Sequence, residues 1–282
     1  MNMTEMTYRE CYQIGVKELE EASIEDAKVD ARILLEMVCN TARHDLFAHG
    51  DKMLEVSLVE TYLLYISMRK THIPLQHITE KQEFMGLEFF VNKHVLIPRQ
   101  DTETLVEEAL KHIHDRMRIL DIATGSGCII ISLLHYTNFC EGVGIDIDDA
   151  ALSVAIENAK HLHSRATFCK SDLFEQVEGV FDVIVSNPPY IRTEELHTLM
   201  PEVIAHEPKL ALDGKEDGLF FYRKIIKEAR NYMHKESYLL FEIGFDQAKE
   251  VSDLLEEAGF VEIKIVKDYT GLDRVISAMA PW

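Results

Sequence analysis

The stretch RILDIATGSGCIIISLL, Arg118–Leu134, decides the fold. The run RILDIAT reads as a short apolar strand and GCIIISLLHYT as a helix, with a glycine-rich turn between them. The alternation continues to the C-terminal side. EGVGIDID is a strand, DAALSVAIENAKHL a helix, and ATFCKSD and FDVIVSN are strands. GLFFYRKIIKEARNYM is a helix, YLLFEIG a strand and QAKEVSDLLEEAG a helix, before the strands VEIKIVKD and DRVISAMA. Short apolar strands alternating with helices predict a Rossmann-like α/β domain, a seven-stranded, mostly parallel sheet covered on both faces. The last two strands follow each other with no helix between them. They are expected to pair as a hairpin and place one antiparallel strand in the sheet.

Upstream of Arg118 the texture differs. Residues 1–73 read as a small all-helical domain with no strand signal. Ser23 followed by Asp26 suggests a capping box. Ala27, Ala31, Leu34, Leu35 and Val38 then recur at helical spacing, as do Leu58, Tyr62, Leu63 and Ile66 within SLVETYLLYISMRK. FMGLEFFVNKHVLIPR reads as a hairpin or extended linker, and DTETLVEEALKHI resumes as helix. The expected division is 1–73 helical domain, 74–100 linker, and 101–282 α/β domain.

Composition narrows the function. The chain has 282 residues, 47% hydrophobic, with 29 Lys+Arg against 49 Asp+Glu and a net charge of −20. A surface this acidic repels phosphate backbones and suits a basic partner, so direct nucleic-acid binding is not expected. Five dispersed cysteines, Cys11, Cys39, Cys128, Cys140 and Cys169, show no C-x-x-C spacing and fit a reducing compartment, hence a cytoplasmic protein. Cys128 is read as a small buried residue. The start, MNMTEMTYRECYQ, does not read as a signal peptide, and CIIISLL is far too short to span a membrane. The pairs His112/His114 and His161/His163 point to different helix faces, so no metal is expected.

Three successive strand ends offer contacts to an adenosine. In DIATGSGC the loop Ala123, Thr124, Gly125, Ser126 and Gly127 lets a backbone approach a ligand at a helix N-terminus. Asp146, about 20 residues on, can accept both ribose hydroxyls. In KSDLF, Asp172 can accept from an exocyclic amine and Leu173 can pack on the ring. A dinucleotide enzyme would need a third glycine where Ile130 stands. S-adenosylmethionine (SAM), which has no phosphate, fits better.

The stretch VSNPPYIRTEE, Val185–Glu195, carries the chemistry. An amide or aromatic-amine nitrogen is a poor nucleophile because its lone pair is delocalised. Hydrogen bonds accepted from its two N–H groups, by the Asn187 side-chain oxygen and the Pro188 carbonyl, would shift charge onto that nitrogen and aim it. Pro188 and Pro189 lock φ and hold the carbonyl still. Tyr190 can lie flat on the planar group.

At this point the chain resembles the peptide-chain release factor N5-glutamine methyltransferases, the PrmC/HemK family. The resemblance covers PLQHIT, FMGLEFFVNKHVLIPRQDTETLVEEAL, DIATGSGCI, GIDID, SDLF and SNPPYI. It continues in EPKLALDGKEDGLFFYRKI, EIGFDQ and KDYTGLDRVI. It implies a class I SAM-dependent methyltransferase fold with a helical domain that helps dock the substrate. The implied reaction is methyl transfer from SAM, leaving S-adenosylhomocysteine, to the glutamine of the Gly-Gly-Gln loop of class 1 release factors. A monomer is the default expectation. Three alternatives stay open: a glutamine methyltransferase of a ribosomal protein, an adenine-N6 methyltransferase of nucleic acid, and a SAM-binding regulator without activity.

Departures from the family pattern are Ala123 where glycine is common, Gln100-Asp101 where Pro-Glu is frequent, and Glu80 where Gly is frequent. Arg99, Thr102 and Glu103 read either as a helix start or as a pocket entrance. Glu207-Pro208 reads as a loop end or a brace for the NPPY turn, and Glu242 and Gly244 read as structural.

Overall fold

The structure, a computed structural model, describes residues 5–282 and divides into two compact units. The first comprises Met1–Glu80 and Pro201–His206. Its elements are β1 (Met6–Thr7), α1 (Tyr8–Glu21), α2 (Ala27–Cys39), α3 (Arg43–Ala48), β2 (Met53–Leu54), α4 (Val56–Lys70) and α5 (Leu75–Thr79). α1, α2 and α4 pack around Leu19, Leu34, Leu35, Tyr62 and Ile66. A Cβ at Gly15 would lie 1.7 Å from the Tyr62 hydroxyl, so glycine permits this close crossing of α1 and α4.

Three local expectations shift here. The capping box belongs to α1, where Thr7 and Glu10 satisfy each other's backbone N–H. Ser23, at φ +59, is instead spent on the turn that ends α1, donating its N–H to Glu20 O at 3.0 Å. Asp26 sits at the start of α2 with no side-chain cap. β1 and β2 form a two-residue antiparallel pair, too short to leave a sequence pattern. On α4 the buried face runs through Val59, Tyr62, Ile66 and Arg69, with Leu58 and Leu63 half-buried. Each of the three guanidinium nitrogens of the buried Arg69 has a partner. The side chain donates to Asp30 Oδ2 at 2.7 Å, Ile73 O at 3.2 Å and Glu202 Oε1 at 2.5 Å. A charge out of water needs such partners.

The second unit comprises Lys81–Met200 and Glu207–Trp282. β3 (Lys81–Phe84) and β4 (Leu87–Phe90) form a hairpin, followed by α6 (Gln100–Leu110). Then come β5 (Arg118–Ile122), α7 (Cys128–His135), β6 (Glu141–Asp146), α8 (Asp149–His161), β7 (Thr167–Lys170) and β8 (Phe181–Ser186). The short helix α9 (Pro201–His206) belongs to the first unit. α10 (Phe220–Ala229), β9 (Met233–Glu242), α11 (Ala248–Glu257), β10 (Val261–Lys267) and β11 (Asp273–Met279) complete the chain.

The seven strands lie in the order β10-β11-β9-β8-β5-β6-β7, and β11 alone runs antiparallel to both neighbours. The expected α/β class is therefore what forms. Alternate residues feed two cores. On β8, Ile184 joins Leu120, Tyr222 and Phe241 on one face, while Val183 and Val185 join Phe89, Leu105 and Ile130 on the other. Burial on both faces is why these strands read as continuous apolar runs. The chain passes from β5 outward to β6 and β7, then returns to β8 on the other side of β5. That reversal opens a crevice beyond the carboxyl ends of β5 and β8, the usual ligand position in such sheets. Among the described residues no helix is long and apolar enough to cross a membrane.

Candidate active site

The turn after β5 is shaped by three left-handed residues in five: Ala123 at φ +59, Gly125 at +54 and Gly127 at +78. Thr124 fixes it, donating its hydroxyl to Asp121 Oδ2 at 2.6 Å and its N–H to Ile145 O at 2.9 Å. Asp121 is fully buried, and desolvation raises its carboxyl to about 7. The two glycines differ in purpose. A Cβ at Gly125 would meet nothing within 4 Å, whereas one at Gly127 would meet Ile131, Ala155 and Phe168 at 3.1–3.3 Å. Gly125 therefore keeps space open, and Gly127 lets α7 pack against its neighbours.

That open side faces a cavity of about 340 Å³, within the range of small-molecule sites. Its walls include Ala123, Thr124, Gly125 and Ser126 from the β5 turn, Asp146 after β6, and Asp172 and Leu173 after β7. Asn187, Pro188 and Pro189 after β8 complete that side. Asp146 is braced by N–H groups of Gly125 and Asp148, each at 3.0 Å, and burial raises its pKa. Each oxygen keeps a lone pair for a ligand hydroxyl. Leu173 is held at φ +50, a strained conformation for a side-chain-bearing residue and one that clusters at ligand sites. These acceptors and the open glycine fit the adenosine of SAM.

Two expected site residues are set back from the cavity. Gly127 acts through packing, as above. The half-buried Tyr190 directs its hydroxyl to Glu242 Oε1 at 3.3 Å. Burial, then the charge of Glu242, pushes the Tyr190 pKa up.

The NPPY turn is braced from remote sequence. Ser186 Oγ donates to Ile122 O at 2.7 Å, tying β8 to β5. Asn187 Nδ2 donates to Thr102 Oγ1 at 3.3 Å. Gln247 Nε2 donates to Tyr190 O at 3.0 Å. Added Cβ atoms would lie 2.7 Å from the Tyr190 backbone at Gly214, and 2.4 Å from Tyr190 O at Gly218. Gly214, Gly218 and Gln247 sit in DGKEDGL and EIGFDQ; those segments carried resemblance, but no periodicity or motif in them assigns the contact.

Of the ambiguous linker residues, Arg99 and Thr102 line the cavity. Glu103 instead accepts the Met85 N–H at 2.6 Å, holding α6 to the hairpin. Arg99 pairs with the buried Glu207 at 2.5 Å. His112, weighed earlier as half of a metal pair, stacks on the Tyr238 ring with centroids 3.8 Å apart.

Known proteins resemble both units. Residues 10–79 match the family described as PrmC N-terminal domain, and residues 100–218 match the family described as methyltransferase small domain. Release factor glutamine methyltransferases are similar along nearly the whole chain. That of Clostridium acetobutylicum is 41% identical over 268 residues, 93% of this chain and 94% of its own. That of Geobacter sulfurreducens is 39% identical over 259 residues, 92% of this chain and 91% of its own. Among solved structures, a methyltransferase from Pyrococcus furiosus superposes with a TM-score of 0.55 at 18% identity, covering 77% of this chain and all of that one. The catalytic domain of hMettl16 superposes with a TM-score of 0.57 at 16% identity, covering 76% and 81%. These two likenesses speak for the fold. The near full-length relatives speak for the chemistry: the chain belongs to the release factor glutamine methyltransferase family and is a SAM-dependent protein glutamine methyltransferase.

Proposed function

We propose that this protein methylates the side-chain amide nitrogen, N5, of the glutamine in the Gly-Gly-Gln motif of class 1 peptide-chain release factors. The observation that carries the reading is the hydrogen bond from Asn187 Nδ2 to Thr102 Oγ1. It holds the amino end of the Asn187 amide, which leaves the Oδ1 end for a substrate N–H at the cavity. Pro188, on the same wall, offers its carbonyl to the second N–H. With both N–H groups engaged, the nitrogen lone pair is directed at the methyl and gains electron density.

SAM supplies an electrophilic methyl on a sulfonium. The chain's task is alignment: Gly125 keeps the cavity open, while Asp146, Asp172 and Leu173 would hold the adenosine. Once methylated, the amide nitrogen would be acidic and its proton would pass to water, so the chain would not need a strong base. Tyr190, set back from the cavity, anchors the turn that presents Asn187 and Pro188 by donating its hydroxyl to Glu242 Oε1. The net charge of −20 suits a basic protein partner, and residues 1–73 are assigned to docking it. The working form in this reading is a cytoplasmic monomer that makes no direct contact with nucleic acid.

The test offers intact release factor, the same factor with its Gly-Gly-Gln glutamine changed to alanine, ribosomal proteins and DNA to the enzyme with radiolabelled SAM. Label on the intact factor alone, lost in the alanine variant, is expected. Label on ribosomal protein would reassign the substrate, and label on DNA alone would overturn the glutamine reading.

A further inference from the structure

The stretch from Asn187 to Glu207 is an excursion. It leaves the sheet at the end of β8, contributes α9 to the first unit and rejoins the second unit at Glu207. Both of its ends are tied to the start of α6. At the outgoing end, Asn187 Nδ2 donates to Thr102 Oγ1 at 3.3 Å. At the returning end, Arg99 Nη2 donates to Glu207 Oε1 at 2.5 Å, across 108 positions of sequence. Arg99 and Thr102 share one rigid base. Arg99 is the N-cap of α6, and its carbonyl accepts the Thr102 N–H at 3.1 Å.

The Arg99–Glu207 pair is unequal. The Glu207 side chain is 1% exposed and that of Arg99 is 41% exposed. A carboxylate taken out of water needs close partners, and Arg99 supplies one from the edge of the cavity. Arg99 lines that cavity with Leu96 and Pro98, and so do Pro208, Leu210 and Ala211, which follow Glu207. The pair therefore joins two remote stretches of the cavity wall. The wall behind Glu207 is in turn stitched to the NPPY turn. Ile191 N–H donates to Leu212 O at 3.1 Å, and Gly214 N–H donates to Ile191 O at 2.8 Å, as a parallel bridge between Ile191 and Asp213. Gly214, on the same ribbon, packs against the Tyr190 backbone. A displacement of Glu207 is passed along this ribbon to the turn that carries Asn187 and Pro188.

We propose that Arg99 is a positioning residue for methyl transfer, which holds Glu207 and thereby fixes the returning wall and the NPPY turn where the substrate amide is received; this rests on the reading of Asn187 and Pro188 as acceptors for that amide. The cofactor side is held separately. Thr124 bonds to Asp121, and Asp146 accepts from Gly125 and Asp148, without Arg99 or Glu207. Loss of the pair therefore costs transfer rate and leaves SAM affinity in place.

The experiment measures single-turnover methyl transfer to release factor at saturating SAM, with SAM affinity and Tm alongside. The variants are Arg99→Met, Glu207→Met, the double variant, Arg99→Lys and Asn187→Ala. Each methionine variant should lose about 10- to 100-fold in rate, the scale of a small misplacement of reacting groups. SAM affinity should stay within about threefold of the parent. Arg99→Lys, which keeps the charge, should recover most of the rate. The double variant separates positioning from folding. With neither charge present its Tm should recover toward the parent, while its rate stays as low as that of the worse single variant and falls no further. A rate that recovers together with Tm would make the pair a stability element only and overturn the proposal. Rate losses that multiply in the double variant would show two unconnected residues, and overturn it too. So would a SAM affinity about tenfold weaker in Arg99→Met with the rate retained at saturation, which would make Arg99 a cofactor contact. If Asn187→Ala is inactive while both methionine variants keep the parent rate, the positioning role is wrong and the reading of Asn187 stands. If Asn187→Ala turns over like the parent, both fall. Should Arg99→Met fail to fold, Glu207→Met and the double variant decide.

Discussion

The cofactor turn, Ala123–Gly127, and the NPPY turn, Asn187–Tyr190, follow neighbouring parallel strands at the same edge of the sheet, but they are held differently. The first is held by its own backbone and the next strand end: three left-handed residues, a threonine bonded back to Asp121, a glycine whose missing side chain is the open space, and N–H groups of Thr124 and Gly125 given to Ile145 O and Asp146. The second is held from far along the chain, by Thr102, Gly214, Gly218, Glu242 and Gln247. A turn that presents mainly backbone can be held by itself and the neighbouring strand end. A turn proposed to aim one side-chain oxygen and one carbonyl needs outside support for each.

This contrast makes graded predictions. Asn187→Ala should produce the largest effect, a loss of turnover of about 10²–10³-fold from removing one preorganised acceptor. Gly218→Ala comes next. Its Cβ would press on Tyr190 O at 2.4 Å from a φ of +75, so turnover should fall while SAM affinity holds. The fall should be about tenfold or more, measured by steady-state kinetics with parallel SAM titration. Gly125→Ala should do the opposite, weakening SAM by about tenfold with little direct effect on the methyl-transfer step. Equal damage to both quantities in both variants would erase the distinction between the turns.

Two smaller effects concern stability. Ala123 occupies φ +59 with a Cβ that glycine would lack. Ala123→Gly should relieve about 1 kcal/mol of left-handed strain, partly offset by greater freedom in the unfolded chain, and so give a small rise in Tm. Glu242 holds a proton up to about 7 when folded. The unfolded chain releases it near pH 4, so this group's contribution to stability is full below about pH 4 and is lost as pH rises through about 7. Glu242→Gln should therefore lose less Tm than the parent between about pH 5 and pH 8 in thermal melts.

The same contrast explains what the sequence disclosed. Strand periodicity and glycine spacing are local, so the parallel sheet, the antiparallel last strand and the β5 turn were all legible. That Asp146 and Asp172 line one cavity was legible because strand ends in this topology converge. Long-range braces leave no local trace. Gly214 and Gly218 look like ordinary loop glycines, and Gln247 looks like the start of α11. Glu242 looks like a residue closing a strand, and its bond with the Tyr190 hydroxyl joins the end of β9 to the turn after β8. Ser23 misled for a related reason. Its cap-like spacing is real, but the end of α1 had already used it for a left-handed turn.

The most direct test of this account measures SAM affinity and single-turnover rate side by side for Asn187→Ala and Gly125→Ala. The account predicts a crossing: Asn187→Ala binds SAM within about threefold of the parent and scarcely transfers methyl, while Gly125→Ala binds SAM weakly and transfers near the parent rate once saturated. Retained transfer in Asn187→Ala, or an equal loss of affinity in both variants, would contradict the assignment of separate tasks to the two turns.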